Sequence, residues 1–466
     1  DIEGKSWRQF GPILIFKSFW ENVYLLKILR DQFKPLETKF DVTEALFNMT
    51  LNRLTEPSSK RHLGLWQQSV YGIECFEGQH YYRAMDYLIE HKEPIEQKIF
   101  SQMTEHFCEG ADVVLFDTTS LIYYGEGELE VLDVQHRPLL ARGFSKDHRS
   151  DLKQIVVGVL MSKNGYPLAH EVFSGNTNDV TCFKQVIDQL ADKFKIDKVI
   201  LVGDRGMISQ KNLDYLHQKH YQYILGYRMR TIPKKDRSLV LSKADLKKVR
   251  KDLHWKEVIY QDQRLLVCYN PERAVLDAKR REDILKRIKS KIKDGSILSV
   301  VDNPNYKKFL KIKGDKPKLD PEQIERDKSY DGLYVLTSNT KLSGKQIIES
   351  YKDLWQVEHA FRQLKSELET GPIYHWKDDR IRAHVMICFL AFILRTLFYK
   401  KIKIADPEAS YTEVMGDLKQ LHALDLKLQN QSIVIRTELK TGATIAFKAV
   451  GHKIPRRILQ HIPSKM

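Results

Sequence analysis

The spacing of apolar residues predicts a helical first domain. From residue 1 to about 110, apolar positions recur at helical spacing in stretches such as ILIFKSFWENVYLLKILRDQF, VTEALFNMTLNRL and YYRAMDYLIEH. Asp41 stands just before the second stretch and Glu44 follows three residues later, which makes a suitable N-cap pair. We therefore predict an α-helical N-terminal domain over residues 1–110.

After residue 110 the spacing of apolar residues changes from the helical pattern to the pattern of β-strands. Asn164 and Gly165 predict a hairpin turn between two of these strands. Strand-like runs occupy residues 113–116, 120–124, 154–161, 166–173, 199–203 and 221–228, and helical patterns occupy 179–194 and 209–220. Hairpin strands followed by strands that alternate with helices indicate an α/β fold with a mixed sheet. We assign residues 111–228 to the first part of this core.

The region from 229 to 330 is strongly charged, for example in KKDRSLVLSKADLKKVRKD, and we predict that it is an inserted basic domain of helix and strand. A strand at 332–338 and helices at 342–368 and 379–401 predict a second part of the core over 331–405. Residues 406–466 form a C-terminal region with strand-like pieces at 433–439 and 444–450.

The predicted helix over 342–368 has an acidic residue, Glu358, within its apolar stripe. Residues seven apart on a helix are offset by only about 20°, so Tyr351, Glu358 and Lys365 project along one line. Arg362 follows one turn after the carboxylate. Glu358 is therefore either an ordinary residue that reaches solvent or pairs with Arg362, or a functional carboxylate on the inward side of the helix.

The charge balance favours a polyanionic partner. The chain has 42% hydrophobic residues and a formal net charge of +15, and the basic residues are spread along its length. Nucleic acid is the leading candidate, and an anionic membrane surface is the weaker one. Lys17, Trp20, Tyr24, Lys27 and Arg30 interleave basic and aromatic side chains, which form either a DNA-facing surface or a solvated face over an aromatic core.

Several other classes are excluded by composition. The mean hydropathy of −0.43 is typical of a globular protein. The five cysteines include no CxxC pair, so neither a disulfide framework nor a zinc site is predicted, and a reducing cytoplasm fits. The run MICFLAFILRTLFY is short and contains Arg395, so we predict a buried helix and no membrane span. No GxxxxGK[ST] loop is present, so no nucleotide cofactor is expected. Because residue 1 is Asp and no signal peptide is recognised, we expect processing or truncation at this end.

Three carboxylates have separate structural positions. Asp117 is predicted at the end of the first core strand, Asp204 at the end of a later strand, and Glu358 on a late helix. Each also has an ordinary interpretation, as a turn cap, a turn residue or a salt-bridge residue. Carboxylate oxygens suit Mg²⁺ or Mn²⁺, and a site with two ions about 3.5–4 Å apart supports in-line displacement at phosphorus.

The sequence resembles bacterial insertion-sequence transposases of the DDE class, in the branch with a Tyr-x2-Arg-x3-Glu-x6-Lys signature. The signature residues here are Tyr351, Glu358 and Lys365, and Leu354 stands where the Arg is expected. Further matching segments are FDTTS, GFSKDHRSDLKQ, LVGDRGMIS, DGLYVLTSN and RQLKSELETGPIYHW. The resemblance covers essentially the whole chain and implies an RNase H-like mixed-sheet core.

The resemblance also implies the chemistry. Asp117, Asp204 and Glu358 are expected to ligate two Mg²⁺ or Mn²⁺ ions, while Tyr351 and Lys365 hold the backbone of the transposon end. Arg362 or Lys352 is a candidate to replace the contact of the signature Arg. The helical first domain is then expected to serve DNA binding or assembly, and residues 406–466 DNA contact or dimerisation.

Four other residues are candidates for DNA contact. Trp355 either stacks on an unpaired base or packs in the core, and its place in the apolar stripe favours the core. His148, Arg149 and Lys153 either touch DNA or lie in a solvated hairpin loop.

The leading hypothesis is a transposase that binds terminal inverted repeats, cleaves at the ends and joins the 3′-hydroxyls to target DNA. Its expected partners are double-stranded DNA and further copies of itself, in a homodimer or larger synaptic complex. We expect it in the bacterial cytoplasm, associated with the nucleoid. The alternatives are an RNase H-like nuclease without strand transfer and an inactive DNA-binding derivative.

Overall fold

The computed structural model of the protein describes residues 2–107, 113–125, 138–146, 149–192, 199–250, 252–294, 303–313, 316–428 and 431–462. The strands in these ranges are β1 (Ile2–Gln9), β2 (Val113–Ile122), β3 (Gln154–Ser162), β4 (Pro167–Ser174), β5 (Ile200–Gly203), β6 (Gln222–Tyr227), β7 (Lys247–Arg250), β8 (Leu253–Tyr260), β9 (Gln263–Tyr269), β10 (Leu310–Lys313), β11 (Lys316–Leu319), β12 (Leu333–Ser338), β13 (His422–Leu428), β14 (Gln431–Arg436) and β15 (Ile458–Ile462).

The α-helices in the same ranges are α1 (Gly11–Asn22), α2 (Leu25–Phe33), α3 (Val42–Thr55), α4 (Leu63–Trp66), α5 (Gly78–Glu90), α6 (Lys92–Phe107), α7 (Asp179–Asp192), α8 (Gln210–Gln218), α9 (Ser238–Leu241), α10 (Pro271–Lys293), α11 (Pro304–Lys307), α12 (Pro321–Lys328), α13 (Gly344–Lys352), α14 (Trp355–Ser366), α15 (Asp378–Ala405), α16 (Tyr411–Lys419) and α17 (Thr441–Val450). The chain divides into two compact units. Unit 1 comprises residues 1–197 and 354–466, and unit 2 comprises residues 198–353.

Unit 1 contains the antiparallel strands β4-β3-β2 and a second antiparallel sheet of order β1-β13-β14-β15. The predicted hairpin joins β3 to β4, and Gly165 makes its turn with a φ of +75°, a conformation that favours glycine. Two predictions are wrong here. The first domain begins with β1 before its helices, and residues 444–450 lie in helix α17 rather than a strand.

Helix α15 forms the centre of the hydrophobic core of unit 1. It packs against α3, α5, α17 and β4. By length and composition it could cross a membrane, but 94% of its most apolar window is buried inside the protein. Arg395, its buried cation, is paired with Glu367 through hydrogen bonds of 2.6 and 2.9 Å. The predicted buried helix is therefore confirmed.

The N-terminal helices follow the sequence pattern. Asp41 caps α3 by accepting hydrogen bonds from the backbone N–H groups of Thr43 and Glu44, as its position predicted. Of the interleaved basic and aromatic residues, Trp20 is buried and Lys17 is paired with Glu44 at 3.3 Å. Part of that set therefore belongs to the core.

Unit 2 is built on a mixed sheet of order β5-β6-β12-β9-β8-β7. β5 and β6 are parallel and joined through α8, and the other neighbouring pairs are antiparallel. Because β9 pairs with β12, the strands between residues 229 and 330 extend the sheet that contains β5 and β6. Helix α10 is fixed by the buried Arg281, which forms a bidentate pair with Asp331. The predicted α/β class with a mixed sheet is confirmed.

Candidate active site

Asp117 lies in the middle of β2, opposite Val159 of β3. The prediction that it ends the strand is wrong, because β2 continues to Ile122. The neighbours Phe116 and Thr118 are buried, whereas the Asp117 side chain keeps 18% of its surface exposed. Its Oδ1 accepts a 2.7 Å hydrogen bond from the backbone N–H of Thr118. The sheet therefore fixes this carboxylate with an edge open to solvent.

Lys146 places a cation beside Asp117. Its Nζ lies 3.5 Å from Asp117 Oδ1 and 3.9 Å from Asp179 Oδ1. The same ammonium donates to the carbonyl oxygen of Thr118 at 2.5 Å and to Thr118 Oγ1 at 2.9 Å. The backbone N–H of Lys146 is held by Ser120 Oγ at 3.0 Å. The lysine is thus anchored at both its backbone and its side chain.

Asp179, in the first turn of α7, completes this group, and we call Asp117, Thr118, Lys146 and Asp179 the carboxylate cluster. Thr118 Oγ1 donates to Asp179 Oδ1 at 2.5 Å. The nearby Cys182 is buried, and burial followed by the charge of Asp179 raises the pKa of its thiol to about 12. The thiol therefore stays protonated and is no nucleophile at neutral pH.

Asp204 follows directly after β5, as predicted, and is exposed. The Tyr351 hydroxyl on α13 donates to its Oδ1 at 3.4 Å. The pKa of Tyr351 is raised by burial first and then by the Asp204 carboxylate, so the phenol remains a donor. Gly226 on β6 makes this approach possible, because a Cβ there would lie 2.8 Å from the Tyr351 hydroxyl oxygen and 2.8 Å from the Arg205 backbone nitrogen.

The helix predicted over 342–368 is two helices. α13 ends at Lys352 in unit 2, and α14 begins at Trp355 in unit 1. Leu354, which stands at the position of the signature Arg, is the buried N-cap residue of α14. Since the helix is interrupted, Tyr351, Glu358 and Lys365 do not form a continuous line on one helix.

Glu358 is exposed in the first turn of α14, so the prediction that it lies on the inward face is wrong. The buried positions of α14 are Val357, Ala360, Phe361, Gln363 and Leu364. Glu358 is turned about 100° from Val357 around the helix. A carboxylate in a first helical turn is favoured by the positive end of the helix dipole.

Trp355 is also exposed, with 54% of its surface accessible, so the expectation that it packs in the core is wrong. Its ring lies beside that of His359, with centroids 6.0 Å apart. Arg362 is exposed and Lys365 is half-buried on the same helix. Helix α14 therefore presents an aromatic ring, a carboxylate and a guanidinium on its accessible side.

The remaining predicted DNA contacts lie in the segment before β3. Arg149 is exposed and forms an ion pair with Asp151 at 2.8 Å. Lys153 is half-buried, and its carbonyl oxygen accepts from the backbone N–H of Tyr123. His148 lies outside the described residues.

The predicted metal ligands are distributed over both units. Asp117 and Glu358 belong to unit 1, and Asp204 belongs to unit 2. Among the described residues, no group of three or more His, Cys, Asp or Glu side chains is arranged to hold a metal ion. The ligand set therefore stays a prediction.

Residues 111–394, more than half of the chain, match the family described as "Transposase DDE domain". The chain belongs to this DDE transposase family. The carboxylate cluster and α14 both lie inside the matched region. The predicted family is thus confirmed.

Other known proteins show weaker similarity to this chain. The Sinorhizobium fredii protein named "Putative transposase y4zB" is 24% identical over 134 residues, which are 28% of this chain and 37% of that protein. A piggyBac transposase synaptic complex with hairpin DNA is 11% identical, with a TM-score of 0.43 over 88% of this chain and 79% of that one. A Mos1 transposase paired-end complex with the left transposon end is 13% identical, with a TM-score of 0.17 over 40% of this chain and 59% of that one.

Lys146 and Asp179 were missed by sequence reasoning about this transposase. Lys146 lies in GFSKDHRSDLKQ, the segment from which His148, Arg149 and Lys153 were chosen. Asp179 stands at the start of a predicted helix, where an acidic residue has an ordinary explanation as part of the first turn. The available signal was that Lys146 and Asp179 stand in the segments that follow β2 and β4. The spacing of residues along the sequence, however, does not show which side chains pair in space.

Proposed function

We propose that this DDE transposase binds the terminal inverted repeats of a mobile element, cleaves at the ends and joins the 3′-hydroxyls to target DNA. The observation that supports this most is the ammonium of Lys146, which lies 3.5 Å from Asp117 and 3.9 Å from Asp179 inside the DDE domain. A cation is already stabilised beside the first predicted ligand. The electrostatic environment of Asp117 therefore fits a divalent cation.

The metals would be two Mg²⁺ or Mn²⁺ ions held by Asp117, Asp204 and Glu358. Carboxylate oxygens are the ligands that these hard cations prefer. When bound, the ions would activate the attacking oxygen and stabilise the leaving oxygen. Asp117 is fixed by β2 and by the N–H of Thr118, while Asp204 and Glu358 are exposed and accessible to an ion.

The residues around these carboxylates would position DNA. The phenol of Tyr351 stays protonated and donates, so it is suited to a phosphate oxygen as well as to Asp204. Arg362 and Lys365 would contact the strand near the scissile phosphate, and the exposed Trp355 would stack on an unpaired base. Arg149, Lys153 and His148 are further candidates for backbone contact.

The partners would be double-stranded DNA and other copies of the chain. Two transposon ends must be brought together and each needs a set of carboxylates, so a homodimer or larger synaptic complex is expected. Residues 1–110 would serve end binding or assembly, 111–228 and 331–405 the RNase H-like core, 229–330 the basic insertion, and 406–466 DNA contact or dimerisation. The cellular location would be the bacterial cytoplasm, at the nucleoid.

The test is a cleavage assay on DNA that contains the element's ends, with Mg²⁺ and with Mn²⁺. Asp117→Asn, Asp204→Asn and Glu358→Gln should each abolish cleavage while leaving end binding in a gel-shift assay. Glu325→Gln, which removes an exposed carboxylate paired with Lys328, is the matched control and should cleave normally. Normal cleavage by any of the three site variants would refute the assignment of that residue.

Strand transfer is tested separately with pre-cleaved ends and a supercoiled target plasmid. Products in which the transposon ends are joined to the plasmid would support the proposed transposase activity. Cleavage without joining would instead identify a nuclease, and binding without metal-dependent cleavage would identify an inactive DNA-binding derivative.

A further inference from the structure

Unit 1 contains a cavity of about 630 Å³ that the proposed chemistry does not use. Its walls come from the end of α3, the segment at 58–61, α5, and the segment from Glu369 to the first turns of α15. We call it the cationic cavity. Its volume lies in the range of small-molecule sites, which is about 300–1,000 Å³.

Lys60 places a buried amine in this cavity. The side chain is only 3% exposed, and its Nζ has no hydrogen-bond partner in the described part of the chain. A buried amine without a hydrogen-bond partner is costly, and a bound anion is one of the few ways to satisfy it. The cavity therefore contains an unsatisfied donor that points to an acceptor from outside.

The charges around Lys60 are mostly positive. Arg53, Arg61, Lys377 and Arg380 line the same cavity, against one carboxylate, Glu369. Arg53 is itself buried and donates to the carbonyl oxygens of Ser58 and Glu369. Arg380 is paired with Asp86 at 2.6 Å, but among the described residues the amine of Lys60 has no such carboxylate.

Two histidines in the cavity wall, His375 and His384, have lowered pKa values that reflect the same excess of positive charge. The pKa of His375 is lowered to about 4 by burial and then by Lys60, Arg380 and Arg53. The pKa of His384 is lowered well below its usual value by burial and then by Arg53 and Lys60. Both rings are therefore neutral at pH 7, and His384 donates from Nε2 to the Thr370 carbonyl at 3.0 Å.

Aromatic rings stand in the same wall. Tyr374 and Trp376 are 65% and 55% exposed although both are large and apolar. Lys377 lies over the Trp376 ring, with Nζ 5.3 Å from its centroid, and Arg380 lies over Tyr82 at 5.0 Å. Accessible rings flanked by cations are the arrangement that binds unpaired nucleotides, because the base stacks while the phosphate meets the charge.

We propose that the cationic cavity binds one nucleotide of a single DNA strand, with its phosphate at Lys60 and Arg53 and its base against Trp376 or Tyr374. This inference rests on the proposed function, since it takes DNA as the ligand. It adds a second nucleic-acid site in unit 1 that contains none of the residues Asp117, Asp204 or Glu358.

In this cavity, binding of the DNA phosphate is expected to depend on the protonation of the Lys60 amine. Burial and then Arg53 lower the pKa of Lys60 to about 7, opposed weakly by Cys388. The groups that face Lys60 from the surrounding elements are Arg53, Cys388, His375 and His384. A phosphate beside the amine favours its charged form, so binding takes up a proton and affinity falls as pH rises from 7 to 9.

The experiment measures fluorescence anisotropy of a labelled single-stranded DNA of about ten nucleotides with the full chain, in EDTA so that no cleavage occurs. Lys60→Met should weaken binding by about 10-fold or more, since it removes a charge-assisted hydrogen bond. Trp376→Ala should weaken binding by about 5- to 100-fold through lost stacking. Lys345→Met and Trp7→Ala remove an exposed lysine and an exposed tryptophan elsewhere and serve as controls.

Competition between inorganic phosphate and the labelled strand distinguishes a site for free phosphate from a site for a DNA nucleotide. Lys60→Met should lose phosphate competition, whereas Trp376→Ala should retain it, because only the base needs the ring. Strand affinity within twofold of wild type in both variants would overturn the proposal, and so would a cavity that binds phosphate but no strand. Trp376→Ala is a second, independent variant, so the test does not depend on Lys60→Met alone. Because Asp117→Asn should bind the strand normally, failure of the cleavage assay and failure of this inference are distinguishable.

Discussion

Two polar regions of unit 1 have opposite charge and opposite solvation. In the carboxylate cluster, Lys146 is one cation for two acids, its side chain is 34% exposed, and its ammonium has four polar neighbours. In the cationic cavity, Lys60 is 3% exposed, lies among further cations and has no described hydrogen-bond partner.

The two regions differ in the kind of ion that would balance their charge. An excess of carboxylate around a single ammonium suits a further cation, because Asp117 and Asp179 carry more negative charge than Lys146 alone balances. An excess of positive charge around a buried amine with no described hydrogen-bond partner suits a phosphate, because burial leaves the Lys60 amine desolvated without compensation. The two regions lie on different elements of the same unit.

The largest expected effect is on catalysis. Asp117→Asn should lower Mg²⁺-dependent cleavage of end-containing DNA on the order of 1,000-fold or more, since a catalytic metal contributes several kcal/mol of transition-state stabilisation. Single-turnover cleavage rates measure this. A loss of less than tenfold would contradict a metal role for the carboxylate cluster.

The next effect is on stability in the cationic cavity. The pKa of Lys60 is lowered from 10.5 to about 7, chiefly by burial. Between these values the unfolded chain binds a proton that the folded chain does not, so the free energy of unfolding rises with pH. Lys60→Met should be more stable than wild type below pH 7, on the order of 5 kcal/mol, and the gap should close toward pH 10.5.

Urea unfolding of both proteins at several pH values measures this difference. A gap that is independent of pH would show that Lys60 is not desolvated as its burial implies. Strand DNA added at pH 7 should narrow the gap, since a phosphate stabilises the charged lysine of the wild type only.

A smaller effect is expected when the cation of the carboxylate cluster is removed. Lys146→Met leaves Asp117 and Asp179 without their shared ammonium, so the metal-free protein should be less stable by about 1 kcal/mol. Mn²⁺ should then raise its melting temperature more than that of wild type, because the Lys146 ammonium no longer competes for Asp117. Thermal melts with and without Mn²⁺ measure both effects, and an equal Mn²⁺ shift in the two proteins would contradict the competition.

The smallest effect extends the comparison to Asp204 in unit 2. Tyr351→Phe removes a long hydrogen bond of 3.4 Å, so unfolding should change by less than about 1.5 kcal/mol. The cleavage rate should fall further than stability does if the phenol also contacts DNA. Equal, small changes in both would assign Tyr351 a purely structural role.

Secondary structure was largely predictable where the spacing of apolar residues stays constant over a whole helix or strand. The Asn164 and Gly165 turn, the Asp41 cap and the buried α15 all follow from local chemistry. Helix α14 was predicted with the wrong face inward, because the apolar period was carried across the break at residues 353–354. With Leu354 buried at its N-cap, the helix starts a new apolar stripe that leaves Glu358 and Trp355 accessible.

The sequence by itself determined the family, because strings such as FDTTS and LVGDRGMIS are local and need no tertiary contact to be recognised. It also determined the excess of positive charge. Only the tertiary structure decided which charges meet. Lys146 reaches Asp117 and Asp179 from a different segment, and Lys60 is buried beside side chains more than 300 positions away. Burial and pairing are properties of packing between distant segments, and no local period encodes them.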